Sequence, residues 1–347
     1  MPRLTKGGAC ANLVKPDAAQ ALRDDDLPMS IDTRTAVLIA AHDAAATLDR
    51  AIASALAEPE TAELCVVDDG SCDDTLAIAQ GWAERDRRVI ALSQANAGPG
   101  AARNAAIAAT SAPWLAILDA DDFLLPGRLA VLHAHAQNAD FVADALMRAP
   151  EGAPTRPAAG FGEPQWLSFE RFVLGNLGAL RGPLDLGFLK PLMRRSFIAA
   201  HGLRYQIGLR LGEDYEFYAR ALGLGARFLA GGEAGYVSVE RPGSLSKQHS
   251  PEDLRSLRDC DADLETLPSL SEVDRRALKR HWTSVDNRLQ WRLLIEAVKR
   301  RDGPAMVRTF HTPQSALYLA ARLAEQAWLR SSAWLRGRTR PSQRASA

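Results

Sequence analysis

Three aspartates follow an apolar run about a third of the way along the chain. Residues 114–118 read Trp-Leu-Ala-Ile-Leu, and Asp119, Asp121 and Asp122 come directly after them. Such a run predicts a buried strand, and clustered carboxylates belong at its exposed end because like charges repel. Carboxylate oxygens suit Mg²⁺ or Mn²⁺, and such a cation can hold a nucleotide diphosphate. A strand-end turn with solvated aspartates is the alternative interpretation.

A second pair of acids, Asp68 and Asp69, ends another apolar run and precedes Gly70 and Ser71. Carboxylates in this position can accept hydrogen bonds from the N–H of a uracil-like base or from ribose hydroxyls. A helix N-cap fits the same residues equally well, because Asp and Ser are preferred there.

Residues 96–104, Asn-Ala-Gly-Pro-Gly-Ala-Ala-Arg-Asn, predict a glycine-bearing loop that opens into a helix of small residues. Its N–H groups and the side chain of Arg103 could face a phosphate. Close packing of the helix on a sheet requires the same small residues, so this motif is a weak signal by itself.

Residues 211–217, Leu-Gly-Glu-Asp-Tyr-Glu-Phe, place Glu213 and Asp214 at the start of an amphipathic helix. The helix dipole favours acids in the first turn, so capping is the simplest explanation. The more specific hypothesis makes Asp214 a general base that reaches a nucleotide from a second segment.

From residue 35, apolar runs alternate with segments of helical periodicity. This alternation predicts an α/β fold with a mostly parallel sheet, flanking helices and a helical C-terminal extension. Strands are predicted at 35–40, 63–67, 89–92, 114–118, 141–145 and 235–240, and the clearest helices at 48–56, 74–82, 100–109, 128–136 and 271–299. From residue 166 to 230 the pattern is more helical. Ligands of such sheets bind beyond the carboxyl ends of strands, so the two acidic motifs should share a crevice.

Composition restricts the class of protein. The 347 residues carry 42 basic and 42 acidic side chains, so nothing global suggests nucleic-acid binding. Four cysteines without paired spacing suit a reducing cytoplasm and argue against a disulfide scaffold or a zinc site. Residues 1–33 lack the apolar region of a signal peptide and are predicted to be a disordered leader. No run reaches the ~18 apolar residues that span a bilayer.

The order of the four motifs resembles that of the family 2 glycosyltransferases of the GT-A fold, over roughly residues 33–245. The resemblance implies an inverting, metal-dependent enzyme that moves one sugar from a nucleotide-sugar, by family pattern a UDP-sugar, to a glycan or a lipid-linked saccharide. Residues 191–215 further resemble bacterial exopolysaccharide enzymes of the succinoglycan type. The Q-x-x-R-W motif of processive synthases is absent, which favours transfer of one sugar per acceptor.

The resemblance also implies roles for single residues. Asp69, with Asp68 beside it, would contact the uracil. Asp121 would bind the Mg²⁺ or Mn²⁺ that bridges the diphosphate, with Asp119 near the ribose or the metal. Asp214 would be the catalytic base. The full nucleotide-sugar side of the site is Ala40, His42, Asp68, Asp69, Arg103, Asp119 and Asp122.

The roles of two positions, His42 and His249, stay open. The first strand ends in Ala40-Ala41-His42-Asp43 where the family has Pro-Ala-Tyr-Asn, so His42 replaces the aromatic residue that would lie against the base. An imidazole can stack there or serve only in packing. His249 ends a segment that resembles the one closing over the diphosphate, and it is either a further metal ligand or part of a solvated loop.

The chain is divided accordingly into a glycosyltransferase domain at 34–250 and a helical extension at 251–347. Within the domain, 34–145 is the predicted nucleotide-binding half and 146–250 the acceptor-binding half. From residue 299 onward the chain carries ten basic residues and two acids, and Trp and Leu are interspersed with Arg. A basic amphipathic helix of this kind can lie on the inner face of an anionic membrane, or it can pack on the domain.

Two other classes of protein remain for comparison. A dinucleotide-binding oxidoreductase requires G-x-G-x-x-G directly after the first strand, and residues 41–44 do not provide it. A non-catalytic nucleotide-sugar-binding member of the same fold is the second alternative. The presence of Asp119, Asp121 and Asp214 argues against it.

Overall fold

The computed structural model describes residues 32–150, 162–177, 186–232, 234–240 and 249–338, with the backbone alone at 330 and 332–338. The leader predicted at 1–33 therefore lies almost wholly outside the described residues, as do most of the segment before His249 and the end of the basic tail. From Thr33 onward, the described residues form one compact unit. The proposed division at residue 250 stays a prediction.

Eleven strands and eleven α-helices are formed by the described residues. The strands are β1 (Thr35–Ala41), β2 (Thr61–Asp68), β3 (Val89–Ser93), β4 (Trp114–Ile117), β5 (Phe123–Leu124), β6 (Phe141–Ala143), β7 (Leu146–Pro150), β8 (Gln165–Leu167), β9 (Leu192–Arg194), β10 (Phe228–Ala230) and β11 (Tyr236–Glu240). The helices are α1 (Leu48–Leu56), α2 (Thr75–Arg85), α3 (Pro99–Ala109), α4 (Arg128–Ala134), α5 (Phe169–Gly175), α6 (Arg195–Ala200), α7 (Glu213–Gly223), α8 (Pro251–Glu265), α9 (Glu272–Arg300), α10 (Gly303–Arg308) and α11 (Pro313–Arg338).

The main sheet has the order β3-β2-β1-β4-β9-β6-β10-β8. Its first four strands are parallel, β9 runs antiparallel between β4 and β6, and β8 runs antiparallel at the edge. The predicted mostly parallel sheet is confirmed. Residues 166–230 carry α5, α6 and α7, in line with the more helical pattern expected there. The strands β8, β9 and β10 were not predicted, because each is only three residues long, too short for a period-2 pattern to appear.

The register of β1 with its neighbours brings the acidic motifs together. Ala41 pairs with Asp68 of β2, and Leu38 pairs with Ile117 of β4. All three strands are parallel, so the residues that follow them emerge at one edge of the sheet. The expectation that both acidic motifs lie at the same edge of the sheet is therefore confirmed.

The small residues of α3 allow a close approach to the segment that precedes α7. A Cβ on Gly100 would lie 3.0 Å from the carbonyl oxygen of Gln206 and 3.3 Å from the Cβ of Tyr205. Asn104 fixes the same contact, because its side chain bonds both the N–H and the carbonyl of Tyr205. Packing thus accounts for part of the glycine motif.

The C-terminal helices α8 and α9 begin with capping boxes, in which Ser250 pairs with Asp253 and Ser271 with Asp274. The predicted helix at 271–299 is confirmed as α9. Buried leucines of α8 and α9 join the same hydrophobic core as α7 and the central strands. No helix in the described part of the chain is both long and apolar enough to cross a membrane.

Candidate active site

Asp119 lies at the carboxyl end of β4 and is bound by two buried cations. Its Oδ1 accepts from Nη2 of Arg103 at 2.9 Å, and its Oδ2 lies 2.9 Å from Nζ of Lys190. Burial alone would raise the pKa of Asp119, but the charges and hydrogen bonds of Lys190 and Arg103 outweigh it and lower the pKa to about 2. The side chain is 32% exposed, so an ionised carboxylate remains accessible from the crevice.

Asp214, in the first turn of α7, contacts the same two cations. Its Oδ1 accepts from Nη1 of Arg103 at 2.9 Å, and its Oδ2 accepts from Nζ of Lys190 at 2.7 Å. Oε1 of Glu213 also accepts from Nη1 of Arg103, at 3.0 Å. Burial and the neighbouring charge of Asp214 raise the pKa of Glu213. Two motifs that are far apart in sequence are thus joined through Arg103 and Lys190.

Arg103 is buried and engaged by carboxylates. Its guanidinium lies 5.4 Å from the ring centroid of Tyr205, a second contact that fixes its position. The prediction that Arg103 contacts the nucleotide-sugar stays a prediction, but its closest anionic partners in the structure are Asp119, Glu213 and Asp214.

Lys190 was missed by sequence reasoning. Its backbone carbonyl accepts a 2.5 Å hydrogen bond from Nη2 of Arg128, which is itself paired with the buried Asp144. This places the ammonium between Asp119 and Asp214. A usable signal was present, because Lys190 stands within the apolar stretch 188–193, and a lysine that is buried must be paired.

Asp122 and Tyr236 tie the acidic motif to β11. The hydroxyl of Tyr236 donates to Oδ2 of Asp122 at 2.8 Å and accepts from the N–H of Asp119 at 3.0 Å. Oδ1 of Asp122 accepts from the N–H of Val239. Burial and the charges of Asp119 and Asp121 raise the pKa of Asp122 to about 7. With both oxygens used internally, Asp122 supports the turn. Its predicted contact with the nucleotide-sugar stays a prediction, and sequence reasoning missed Tyr236.

Asp121 is half-buried at the same turn, and its backbone carbonyl accepts from Arg50 at 2.9 Å. Within the described ranges, no group of three His, Cys, Asp or Glu side chains could hold a metal, so Asp119, Asp121 and His249 do not form a three-ligand set here. Mg²⁺ commonly uses only one or two carboxylates together with substrate phosphates. A cation held by Asp121 and Asp119 stays a prediction.

The second acidic motif braces a loop. Oδ1 of Asp69 accepts from Gln94 Nε2 at 2.7 Å and from the N–H of Ala97 at 2.9 Å, while Oδ2 accepts from the N–H of Gly98 at 2.8 Å. Asp68 accepts from the N–H of Ser71 and from the hydroxyl of Ser93. Both aspartates are buried. Their predicted base and ribose contacts stay predictions, and the sequence did not indicate the bracing.

His42 lies at the opening of this region. Its Nδ1 is 3.0 Å from the carbonyl oxygen of Asp69 and 3.3 Å from Nδ2 of Asn96, and 44% of its side chain is exposed. An imidazole in this position can present a face to a ligand. Ala40 is half-buried and packs against the core. Nearby, residues 96–100 and 208–210 enclose a cavity of about 220 Å³.

Comparison with known proteins decides the family. Residues 36–198 match the model of Glycosyl transferase family 2. The chain is 42% identical to the succinoglycan biosynthesis protein ExoU of Rhizobium meliloti over 279 residues, which is 78% of this chain and 80% of ExoU. The chain belongs to glycosyltransferase family 2. It is therefore a glycosyltransferase, and the resemblance to succinoglycan-type enzymes is confirmed.

This family 2 enzyme is also similar to a second curated protein and to a solved structure. ExoO of Rhizobium meliloti, also a succinoglycan biosynthesis protein, is 32% identical over 297 residues, covering 82% of this chain and 85% of ExoO. The crystal structure of S. aureus TarS 1–349 in complex with UDP-GlcNAc aligns with a TM-score of 0.58 at 16% identity, covering 80% of this chain and 90% of the TarS 1–349 chain. This likeness confirms the predicted GT-A fold.

Proposed function

We propose that this family 2 enzyme moves one sugar from a UDP-sugar to a saccharide or lipid-linked saccharide, with inversion, during synthesis of a bacterial exopolysaccharide. The observation that carries the proposal is the joining of Asp119 and Asp214 by Arg103 and Lys190 at the carboxyl edge of the sheet. ExoU and ExoO, which are named for succinoglycan biosynthesis, support the class of product. TarS, which was crystallised with UDP-GlcNAc, supports a uridine nucleotide.

The nucleotide would lie over the carboxyl ends of β1 and β2. His42, which is half exposed, would face the uracil, and Asp69 would hold the 94–98 loop against it and offer a remaining lone pair to the base. A diphosphate is repelled by bare carboxylates. Arg103 and Lys190 neutralise much of the charge of Asp119 and Asp214, so they reduce that repulsion.

Asp121 and Asp119 would hold Mg²⁺ or Mn²⁺, with His249 as a proposed further ligand. When bound, such a cation supplies Lewis-acid stabilisation to the diphosphate leaving group. Asp122 would keep the turn in place, because Tyr236 and the N–H of Val239 fix its carboxyl group.

Asp214 would act as the base. An ionised carboxylate offers about four lone-pair positions, and Arg103 and Lys190 occupy two of those of Asp214. A hydroxyl of the acceptor would donate to a remaining position and lose its proton as its oxygen attacks the anomeric carbon. The bond from that carbon to the diphosphate oxygen breaks on the opposite face, and UDP leaves with the electron pair. The two cations hold Asp214 in one orientation throughout.

A turnover assay tests this proposal. Release of UDP would be measured with UDP-glucose, UDP-galactose, UDP-GlcNAc and UDP-glucuronate, with Mg²⁺ or Mn²⁺ and with a chelator, and the anomeric configuration of any product would be read by NMR. We expect turnover with at least one donor, which Asp214→Asn abolishes while UDP affinity is kept.

Asp263→Asn is the matched control, because Asp263 is exposed on α8. UDP binding without turnover in the wild-type enzyme would favour the non-catalytic alternative. A retained anomeric configuration, or full activity in the presence of the chelator, would contradict inversion or metal dependence respectively.

We also propose contact with the inner face of an anionic membrane through α11. Leu317 and Trp328 are 75% and 68% exposed, and they share a face with the exposed Ala321 and Ala324 at helical spacing. An apolar face on a helix that also carries arginines is typical of helices that lie in a membrane interface. Such contact would bring the enzyme to a lipid-linked acceptor.

A further inference from the structure

The helix that carries Asp214 is anchored from behind by the C-terminal region. The hydroxyl of Tyr215 donates to Oδ1 of Asp261 in α8 at 2.8 Å. Oδ2 of Asp261 lies 2.7 Å from Nδ1 of His281 in α9, and the rings of His281 and Tyr215 stack with centroids 4.4 Å apart. Three helices, α7, α8 and α9, thus meet in one buried polar cluster.

This cluster is set directly beside the proposed base. Tyr215 is the next residue after Asp214, so on a helix the two side chains point about 100° apart. Asp214 faces Arg103 and Lys190, and Tyr215 faces Asp261. A rotation of α7 that moved Asp214 out of its ion pairs would also have to break the bond of Tyr215.

A second contact holds the start of the same helix. Gly212 immediately precedes α7 and has φ +78°, and a Cβ there would lie 2.6 Å from Cδ1 of Leu257 in α8. The contact requires glycine twice, once for the left-handed backbone and once for the space. Helix α8 therefore abuts α7 both before and after the pair Glu213 and Asp214.

Burying a carboxylate carries a desolvation penalty that packing alone would not require. Asp261, His281 and Tyr215 are all at least nine-tenths buried, and apolar residues of similar volume would fill the same space without the desolvation penalty. A satisfied polar cluster fixes the orientation of its helices, because its hydrogen bonds form in only one arrangement of the three.

We infer that Asp261 and His281 are positioning residues for glycosyl transfer, which hold α7 through Tyr215 so that Asp214 keeps its orientation. The inference rests on the proposed function of Asp214. It makes the helical extension part of the catalytic apparatus, although both residues lie beyond the segment 36–198 that matches the family model.

The test compares Asp261→Asn with a matched control, Asp286→Asn. Asp286 is also a buried carboxylate of the extension, but its partners are Arg258, Gln290 and His311, none of which is on α7. Amide hydrogen exchange of residues 212–223, UDP affinity, and kcat and KM for the donor would be measured on the full chain.

We expect Asp261→Asn to speed exchange across α7 and to lower kcat roughly 10- to 100-fold, since misplacement of a reacting group by about 1 Å can cost 100-fold. KM for the donor and UDP affinity should change less than about twofold, because Asp69 and its loop are untouched. Asp286→Asn should leave α7 exchange and kcat near those of the wild type.

Conservative substitution gives a second readout. His281→Asn keeps an N–H donor close to the place of Nδ1 and should retain most of kcat, whereas His281→Leu should behave like Asp261→Asn. Equal exchange of α7 in both aspartate variants, or faster exchange with an unchanged kcat, would overturn the inference. If the wild-type enzyme turned over no nucleotide-sugar, the proposed function would fail, and unchanged exchange in Asp261→Asn would separately refute the anchoring.

Discussion

The ammonium of Lys190 and the carboxylate of Asp214 lie 2.7 Å apart, and both side chains are buried. The same ammonium lies 2.9 Å from Asp119, so one lysine links the acidic turn after β4 to the first turn of α7. Arg103 makes a parallel link from α3. The site is thus held together by two cations shared between carboxylates of different elements.

Replacing Lys190 by Met should damage both stability and turnover. Removing one partner of a buried ion pair leaves the other charge uncompensated, at a cost of about 3–5 kcal/mol in the free energy of unfolding. Loss of a charge that holds the reacting carboxylate should lower kcat/KM at least about 100-fold. Denaturant unfolding and UDP-release kinetics measure the two effects.

Lys279→Met serves as the control for this change, because Lys279 is exposed on α9. It should alter neither quantity by more than about 0.5 kcal/mol in stability or twofold in rate. Wild-type kcat/KM in the Lys190 variant would mean that Arg103 alone suffices to hold Asp214.

Much of this arrangement follows from the sequence. The runs that become β1, β2 and β4 are apolar, and those of β2 and β4 lead into acids, so a parallel sheet with both acidic motifs at one edge could be predicted. Residue periodicity reports the burial of a segment and its secondary structure. It placed Asp119 and Asp121 at the carboxyl edge of the sheet, whereas Asp214 was assigned to the same site through the family resemblance.

The partners of those acids were beyond such reasoning. Lys190 lies in an irregular stretch just before the short strand β9, and its position depends on Arg128, which is remote in sequence. Tyr236 joins the acidic turn from another strand. Long-range ion pairs and hydrogen bonds are set by how elements pack, and local pattern carries no information about which distant side chain arrives.

Asp69→Asn should weaken nucleotide binding, because an amide cannot accept the three hydrogen bonds that now come from Gln94, Ala97 and Gly98. Hydrogen bonds to charged groups contribute about 1.5–3 kcal/mol each, so we expect at least a tenfold rise in the Kd for UDP. Isothermal titration calorimetry with UDP and with CDP measures the effect.

The two nucleotides separate the two roles of Asp69. A base contact predicts that UDP loses more affinity than CDP, while a uniform loss for both would show that Asp69 acts only through its loop. Asp73→Asn is the control, since Asp73 is exposed and bonds Ala45 and Thr75 rather than the 94–98 loop.

The buried carboxyl group of Glu216 should make the free energy of unfolding depend on pH. It is fully buried, its Oε1 accepts from Arg220, and its Oε2 has no hydrogen-bond partner among the described residues. Burial raises the pKa of Glu216 above its ordinary value of 4.5, although Arg220 opposes the change. The folded state therefore holds this proton more tightly than the unfolded state, so the free energy of unfolding falls as pH rises from about 4.5 through the raised pKa.

Glu216→Gln removes this titration. The Tm of the variant relative to the wild type should increase as the pH is raised from 4 to 8, as measured by thermal unfolding in matched buffers. The exposed Glu265→Gln should show no such trend. A constant difference between Glu216→Gln and the wild type at all pH values would mean that the pair with Arg220 compensates the burial of Glu216 completely.

If α11 contacts the membrane, substitutions on its apolar face should prevent liposome binding. The double substitution Leu317→Glu and Trp328→Glu places two acids on exposed positions, so it should cost no core packing and should abolish flotation with phosphatidylglycerol-containing liposomes. Leu323→Glu alone is the control, because Leu323 lies away from the face shared by the other two at helical spacing. Equal flotation of the wild type and the double variant would exclude this helix as the membrane contact. Basic residues favour anionic lipid, so flotation of the wild type with neutral liposomes that contain no anionic lipid would exclude a role for the arginines of α11.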